Sequence, residues 1–384
     1  VTFSLSKLDT STGVHTAPAG ISIAGIERVK RIFYRQIEEG QHPGAQLVVL
    51  RFGQFVVDLA SGLADLRTGR PVTPDTPFLT WSVSKAFTGM CIHRLIEEGV
   101  IEWDAPVADY WPEFGRYGKE TATIRQVLLH QAGIPSRGIY FQALHWMNWK
   151  RVTRNVANLK AEYIPGSKTA YHPLNYGFIL GEVVRRVTGM PVEKYLQSTF
   201  LEPLGLKHTS LGLPPEWRRE ASQVYCGCRD QRLVVWGFSL PFIRSAVLPA
   251  ATLHSTARDL AVFYQMLLNG GEYAGRRYLR QQTIFEATAL AYEGFDHTMQ
   301  REMRWAYGFH LGGLPRKPGE PGTGMGKGSS EKTFGHFGQR TCMAWADFNA
   351  QLVVTFNCNR LLSLESNQSR WQQLSDAIWD ALVD

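Results

Sequence analysis

The segment Trp81-Ser82-Val83-Ser84-Lys85 places a hydroxyl and an amine at i and i+3. A serine hydroxyl is a poor nucleophile until a neighbouring base takes its proton. On a helix, residues three apart share a face, so Ser82 and Lys85 would stand one above the other. A helix opening at Ser82 would also favour the negative charge that develops there during attack. A lysine near pKa ~10.4 serves as a base only when burial disfavours its charged form. Phe87, Met90, Cys91 and Leu95 follow at helical spacing and predict such burial along one apolar stripe. The spacing alone leaves a second role open, because serine is a common helix N-cap. Ser-x-x-Lys recurs at Ser4/Lys7, in a polar stretch, and at Ser329/Lys332, in a Gly-rich one, and neither precedes an amphipathic helix. No Gly-x-Ser-x-Gly is present, which removes support for an α/β-hydrolase elbow.

The surrounding elements follow from periodicity. Residues 1–20 are rich in Ser and Thr and read as an arm, and Ile26, Val29, Phe33 and Ile37 recur at helical spacing up to Gly40. The runs 46–52 and 54–60 flank Gly53 as a hairpin. A helix from Trp81 to Gly99 is followed by a short one at 124–130, then by helical stretches at 176–187 and 192–201. Ser255–Asn269 is a helix closed by Gly270 and Gly271, and residues 312–330 form a Gly/Pro-rich loop. Strands at 342–348 and 351–357 and a helix over 367–382 complete the chain. Helix plus hairpin at one end and strands plus helix at the other predict one antiparallel sheet built from both termini. The expected fold is thus α/β (α+β), with a sheet unit of residues 1–78 and 250–384 and a mostly helical insertion over 79–249.

Composition narrows the classes. A hydrophobic fraction of 44% with 20% charged residues suits a core-forming chain. The net charge of +7 comes from scattered pairs such as Arg185–Arg186 and Arg276–Arg277, which fit solvated faces better than a nucleic-acid arm. Five cysteines cannot all pair, and Cys226-Gly-Cys228 lacks a second pair or histidines at zinc spacing, so neither a disulfide framework nor a structural metal is expected. No apolar run approaches the ~18 residues of a membrane span, and no basic-then-apolar leader opens the chain. These features lean towards a cytoplasmic protein, a removed secretory signal being left open.

Four segments carry a resemblance to the class C β-lactamase and family VIII esterase group of the penicillin-binding-protein superfamily. TPFLTWSVSKAFTG (76–89) resembles its nucleophile segment, and TIRQVLLHQAGIP (123–135) its helix-to-loop signature. YHPLNYGFILGEVVRRVTG (171–189) is similar to its second motif, and LHSTARDLAVFYQMLLNGG (253–271) to a later helix. The similarities run in order from about 24 to 380. They imply Ser82 as nucleophile, Lys85 as base and Tyr171 as Lys85's partner, returning a proton to the leaving group. The phenol would be held towards phenolate by the nearby positive charge; a buried, hydrogen-bonded tyrosine is the competing reading. The lactamase form Tyr-x-Asn is broken, because Pro173 stands at the third position with neither amide nor N–H to offer. Asn175 is a candidate substitute. That departure favours esters, which lack the amide the Asn would bind.

The resemblance further implies that His336-Phe337-Gly338 takes the place of Lys-Thr-Gly, with Gly338 allowing the strand to approach the substrate closely. Lys332-Thr333-Phe334-Gly335 upstream imitates the lactamase form but breaks at Phe334. His336 is expected to donate to Tyr171 or to a substrate anion, or else to be a sheet-edge histidine. Backbone N–H groups of Ser82 and Gln339 would form the oxyanion hole. Trp146, with Trp149 and Phe141, lines an acyl pocket or is simply core. The expectation is a serine hydrolase acting on a small-molecule ester or amide, needing no cofactor or metal, with a homo-oligomer left open. The alternatives are a β-lactamase or D-amino-acid peptidase, an acyltransferase of the lovastatin-synthesis kind, and a non-catalytic scaffold like the mitochondrial β-lactamase-like protein.

Overall fold

In the computed structural model, which describes residues 20–134, 143–314 and 324–383, nine antiparallel strands form one sheet. They are β1 (Gly44–Arg51), β2 (Gln54–Asp65), β3 (Arg70–Pro71), β4 (Tyr292–Asp296), β5 (Arg301–Ala306), β6 (Phe309–Leu311), β7 (Thr333–Gly338), β8 (Cys342–Asp347) and β9 (Leu352–Cys358). Their order is β4-β5-β6-β7-β8-β9-β1-β2-β3. The seam between the two ends of the chain is the β1–β9 ladder, with Val49 opposite Val354 and Leu47 opposite Phe356. The helices that matter for the site are α1 (Ile23–Glu38), α2 (Ser84–Glu97), α3 (Ile124–Leu128), α4 (Asn175–Thr188), α5 (Arg232–Ser239), α6 (Ala257–Leu268) and α7 (Leu364–Ala381).

The apolar runs in β1 and β9 are continuous because both faces of the sheet are covered. Side chains alternate across the pleat, so Leu47, Val49, Trp345, Val354 and Phe356 pack with Phe33, Trp371 and Ile378 of α1 and α7. Val48, Leu50, Ala344, Ala346 and Val353 face the other way, onto Phe263 and Leu267 of α6 and the helical layer beyond. The sheet assembled from both termini and flanked by helices is thus as expected from the sequence. The polar arm at 1–19, Phe141 and residues 315–323 lie outside the described residues.

α2 differs from its expected form. Instead of one apolar stripe, Ser84 through Leu95 is buried all round except at Arg94. Phe87 stacks on Phe263 with ring centroids 3.8 Å apart. A Cβ built on Gly89 would lie 2.9 Å from the Tyr176 hydroxyl. The helix is the central post of the molecule, which is why Thr88 and His93 are buried with the apolar residues. Thr88 donates to the Pro249 carbonyl at 2.6 Å, and His93 meets the Tyr307 carbonyl at 2.8 Å.

Candidate active site

α2 begins at Ser84, with Val83 at the cap position, so Ser82 sits in the turn before the helix and does not open it. The chain reaches that turn from Phe78–Leu79, which pairs with Leu253–Ser255. Trp81 then adopts φ +50°, a left-handed conformation that is strained for a bulky residue. Its indole is held against Phe238 at 4.5 Å. Ser84, beside the nucleophile position, fixes the turn: its hydroxyl donates to the Trp81 carbonyl and accepts from Leu253 N–H at 3.0 Å. A reversal this tight presents the Ser82 hydroxyl at the start of a buried helix.

Lys85 is fully buried, and its Nζ donates to Ser82 Oγ at 3.0 Å, the Pro173 carbonyl at 2.8 Å and the Ala250 carbonyl at 3.1 Å. Those three acceptors match the three donors of an ammonium. None is a carboxylate, so no opposite charge offsets the cost of burying the ammonium, and burial holds the Lys85 pKa well below that of an ordinary lysine. Once deprotonated, the amine has a lone pair facing Ser82 Oγ. Sequence reasoning looks for a side chain to replace the family Asn at Pro173. The structure uses the backbone instead: the Pro173 carbonyl holds Lys85, while Asn175 is the first residue of α4.

Tyr171 lies beside this pair, with Lys85 Nζ 4.7 Å from its ring centroid. The ring stacks on Trp305 of β5 at 5.6 Å and meets the edge of His130 at 4.6 Å. Its backbone N–H donates at 3.0 Å to Asp296 Oδ1, which also accepts from Thr298 and Met299 N–H at 2.9 Å. One buried carboxylate thereby ties the tyrosine segment to the edge of the sheet. Four histidines surround the tyrosine. His172 Nδ1 donates to the Ala170 carbonyl at 2.6 Å while Nε2 accepts from Ile134 N–H at 3.2 Å. His130 Nδ1 accepts from His172 N–H at 3.2 Å. His310 and His336 complete the group, their rings 4.5 Å apart. Burial pushes all four imidazoles down, His172 to about 4 and His336 to about 3, with the Lys85 charge acting in the same direction.

His336 is on β7 next to the site, but its Nδ1 is committed to the Phe337 carbonyl at 3.0 Å, and its ring is 6.3 Å from that of Tyr171. The expected hydrogen bond to the phenol is not made. Lys332, in the imitation motif, is exposed at the far end of β7. Gly338 packs against backbone of the nucleophile segment: a Cβ there would sit 2.0 Å from the Thr80 carbonyl. Both partners are backbone and cannot give way by changing rotamer. Gly338→Ala should therefore push β7 off the nucleophile turn, costing about 1–3 kcal/mol of stability and most of the turnover. Thermal denaturation and an ester assay on the same preparation check it.

Gln339 follows with φ +20° and Arg340 with φ +60°. Gln339 Nε2 donates to Gln231 Oε1 at 2.6 Å, and Arg340 pairs with Asp230 at 2.8 Å, so the segment entering α5 clasps this turn. Trp146 packs on Phe238 at 5.9 Å, and Phe238 on Trp81, which places Trp146 two aromatic contacts from the nucleophile turn. Trp149 is elsewhere: its indole N–H donates to Glu182 at 2.7 Å within the helical layer. Sequence reasoning missed His130, His172, His310, Asp296, Trp305 and the Asp230–Gln231 clasp. His130 and His172 lie within the segments 123–135 and 171–189 that carry the family resemblance, whereas nothing local marks the others. Among the described residues no group of three or more His, Cys, Asp and Glu is arranged to hold a metal, and no helix is long and apolar enough to cross a membrane.

The family model described as Beta-lactamase matches residues 29–377. The esterase/beta-lactamase LipL of Mycobacterium tuberculosis is 31% identical over 370 residues, covering 87% of this chain and 81% of that protein. A penicillin-binding protein homologue from Caulobacter crescentus superposes with a TM-score of 0.82 at 29% identity, over 97% of this chain and 100% of that one. A family VIII carboxylesterase gives 0.80 at 28% identity, over 94% and 99%. With a Ser/Lys pair in contact on the sheet-and-helix frame those proteins share, the chain belongs to the Beta-lactamase family and is a serine hydrolase of the β-lactamase/penicillin-binding-protein fold.

Proposed function

We propose that the protein is a carboxylesterase working through an acyl-enzyme on Ser82. The observation that carries this reading is the 3.0 Å contact between Ser82 Oγ and the buried Nζ of Lys85. Ser82 Oγ attacks the ester carbonyl as its proton passes to Lys85. The C–O bond to the leaving group breaks, and the alcohol departs with a proton delivered through Lys85 and Tyr171. Water then attacks the acyl carbon, the Ser82–acyl bond breaks, and the proton returns to Ser82. Ser82 and Gln339 N–H groups are the proposed oxyanion donors. On this reading the site lies between the sheet unit (1–78 and 250–384) and the helical unit (79–249).

Two features favour esters over β-lactams. Pro173 removes the side chain that would bind a substrate amide, and His336 brings a neutral ring where the lactamase motif has a cation. The name of the family VIII carboxylesterase points the same way, while that of LipL gives both activities. Hydrolysis of a short p-nitrophenyl ester should far exceed that of a chromogenic cephalosporin, and mass spectrometry of quenched enzyme should find the acyl group on Ser82. Dominant cephalosporin turnover would make the protein a β-lactamase, and an adduct elsewhere would remove Ser82. In the same assay Trp146→Ala should selectively slow longer acyl chains; equal loss at every length would return Trp146 to the core.

A further inference from the structure

β6 and β7 bring together two buried imidazoles with three of their four ring nitrogens left without a hydrogen-bond partner among the described residues. Relative exposure is 5% for His310 and 1% for His336. Neither nitrogen of His310, nor Nε2 of His336, has a hydrogen-bond partner among the described residues. Buried polar atoms are rarely left so, and three such atoms on adjoining rings ask for an occupant. The rings are 4.5 Å apart and 76° from coplanar, and each is within 6.4 Å of the Tyr171 ring.

The chemistry of the occupant follows from the tautomer. The Phe337 carbonyl can only accept, so His336 carries its proton on Nδ1 and presents a lone pair at Nε2. Neutral His310 offers one N–H and one lone pair. A group suited to both rings donates to His336 and accepts from His310, which a hydroxyl does through one oxygen. A carboxylate has only acceptors and would face the lone pair of His336.

We propose that His310 and His336 form a hydroxyl-binding subsite beside Tyr171 that takes the acyl acceptor: water in hydrolysis, a small alcohol in transfer. The subsite rests on the esterase reading, since an acceptor is needed only once an acyl-enzyme exists. The oxygen, held by the His310 N–H, attacks the acyl carbon as an O–H proton passes to the Lys85–Tyr171 pair. The bond to Ser82 Oγ breaks, and that proton returns to Ser82. Water keeps its second O–H on His336 Nε2, whereas an alcohol gives up its only proton and makes no bond there. The product is an acid from water or a new ester from an alcohol.

The test is the product ratio when p-nitrophenyl acetate is turned over in buffer containing methanol, because partitioning of the acyl-enzyme does not depend on which step limits the rate. His336→Phe keeps a flat ring of similar size but offers no acceptor at the Nε2 position, which costs water the hydrogen bond of its second O–H and costs methanol none. The methyl acetate to acetate ratio should rise by about fivefold, the equivalent of one lost hydrogen bond. His336→Asn, whose amide oxygen can accept, should bring the ratio back towards wild type. An unchanged ratio in His336→Phe, or the same rise in both variants, overturns the subsite. Turnover that survives Ser82→Ala overturns the esterase reading, and the subsite falls with it.

Discussion

Replacing Lys85 with Met should abolish ester turnover as completely as Ser82→Ala does, each by about 10⁴-fold or more, and the double variant should be no worse than either. Groups that act as a unit are not additive. Here the unit is the Ser82–Lys85 hydrogen bond, since among the described residues Lys85 has no carboxylate partner through which it could act otherwise. Lys85→Arg is the sharper variant. It keeps a positive charge and donors for the Pro173 and Ala250 carbonyls, but a guanidinium does not give up its proton in this pH range. Activity retained in Lys85→Arg would show that the charge, not proton transfer, matters. Burial lowers the Lys85 pKa, so the rising limb of kcat/KM with pH should lie well below the range of an ordinary lysine. That limb should be absent from any residual activity of Lys85→Met. A kcat/KM that rises only near pH ~10.4 would mean that Lys85 is solvated.

The residues legible in the sequence are those that act within one local segment. Ser82 and Lys85 are three apart, and their contact is a property of the turn that enters α2. The sheet is legible for a similar reason, because the runs in β1, β2, β8 and β9 are continuous and apolar. What escapes depends on segments far apart in the chain. Asp296 binds Tyr171 across 125 residues, and Asp230–Gln231 reaches Gln339–Arg340 across more than 100. Such pairs leave no periodicity. Pro173 shows a different limit. Judged by its side chain it is a loss, yet its carbonyl, which any residue would carry, holds the lysine. The left-handed Trp81 is equally invisible, because sequence signals for that conformation rest on Gly and Asn, and here packing against Phe238 imposes it. His130, His172, His310 and His336 are scattered single letters, and their common fate, burial as neutral rings, comes only from the fold.

That fate should make the protein fragile in mild acid, with cooperative unfolding between about pH 6.5 and 5. Seven histidines, His42, His93, His130, His172, His254, His310 and His336, are fully buried with lowered pKa, desolvation being the largest cause in each. Burial takes His93 and His172 down to about 4 and His336 to about 3. An unfolded histidine binds its proton near pH ~6.5, so between that pH and the folded pKa the unfolded chain holds more protons, and stability falls as pH falls. The stabilising contribution is whole above pH ~6.5 and lost on the way down through the folded values. Each such group costs ~1.4 kcal/mol per pH unit once below its unfolded pKa, so seven together amount to about 10 kcal/mol per unit, comparable to the whole stability of a typical domain. The exposed carboxylates with lowered pKa, such as Asp104 and Asp230, protonate below this window and cannot cause the transition. Far-UV circular dichroism and tryptophan fluorescence against pH should therefore show coincident loss with a midpoint above about pH 5. The urea midpoint at about pH 8 should exceed that at about pH 6 by the amount several protons require. A transition only near pH ~4, where carboxylates titrate, would mean that these histidines take up their protons inside the folded protein, and that their surroundings are far more polar than the burial of Lys85 implies.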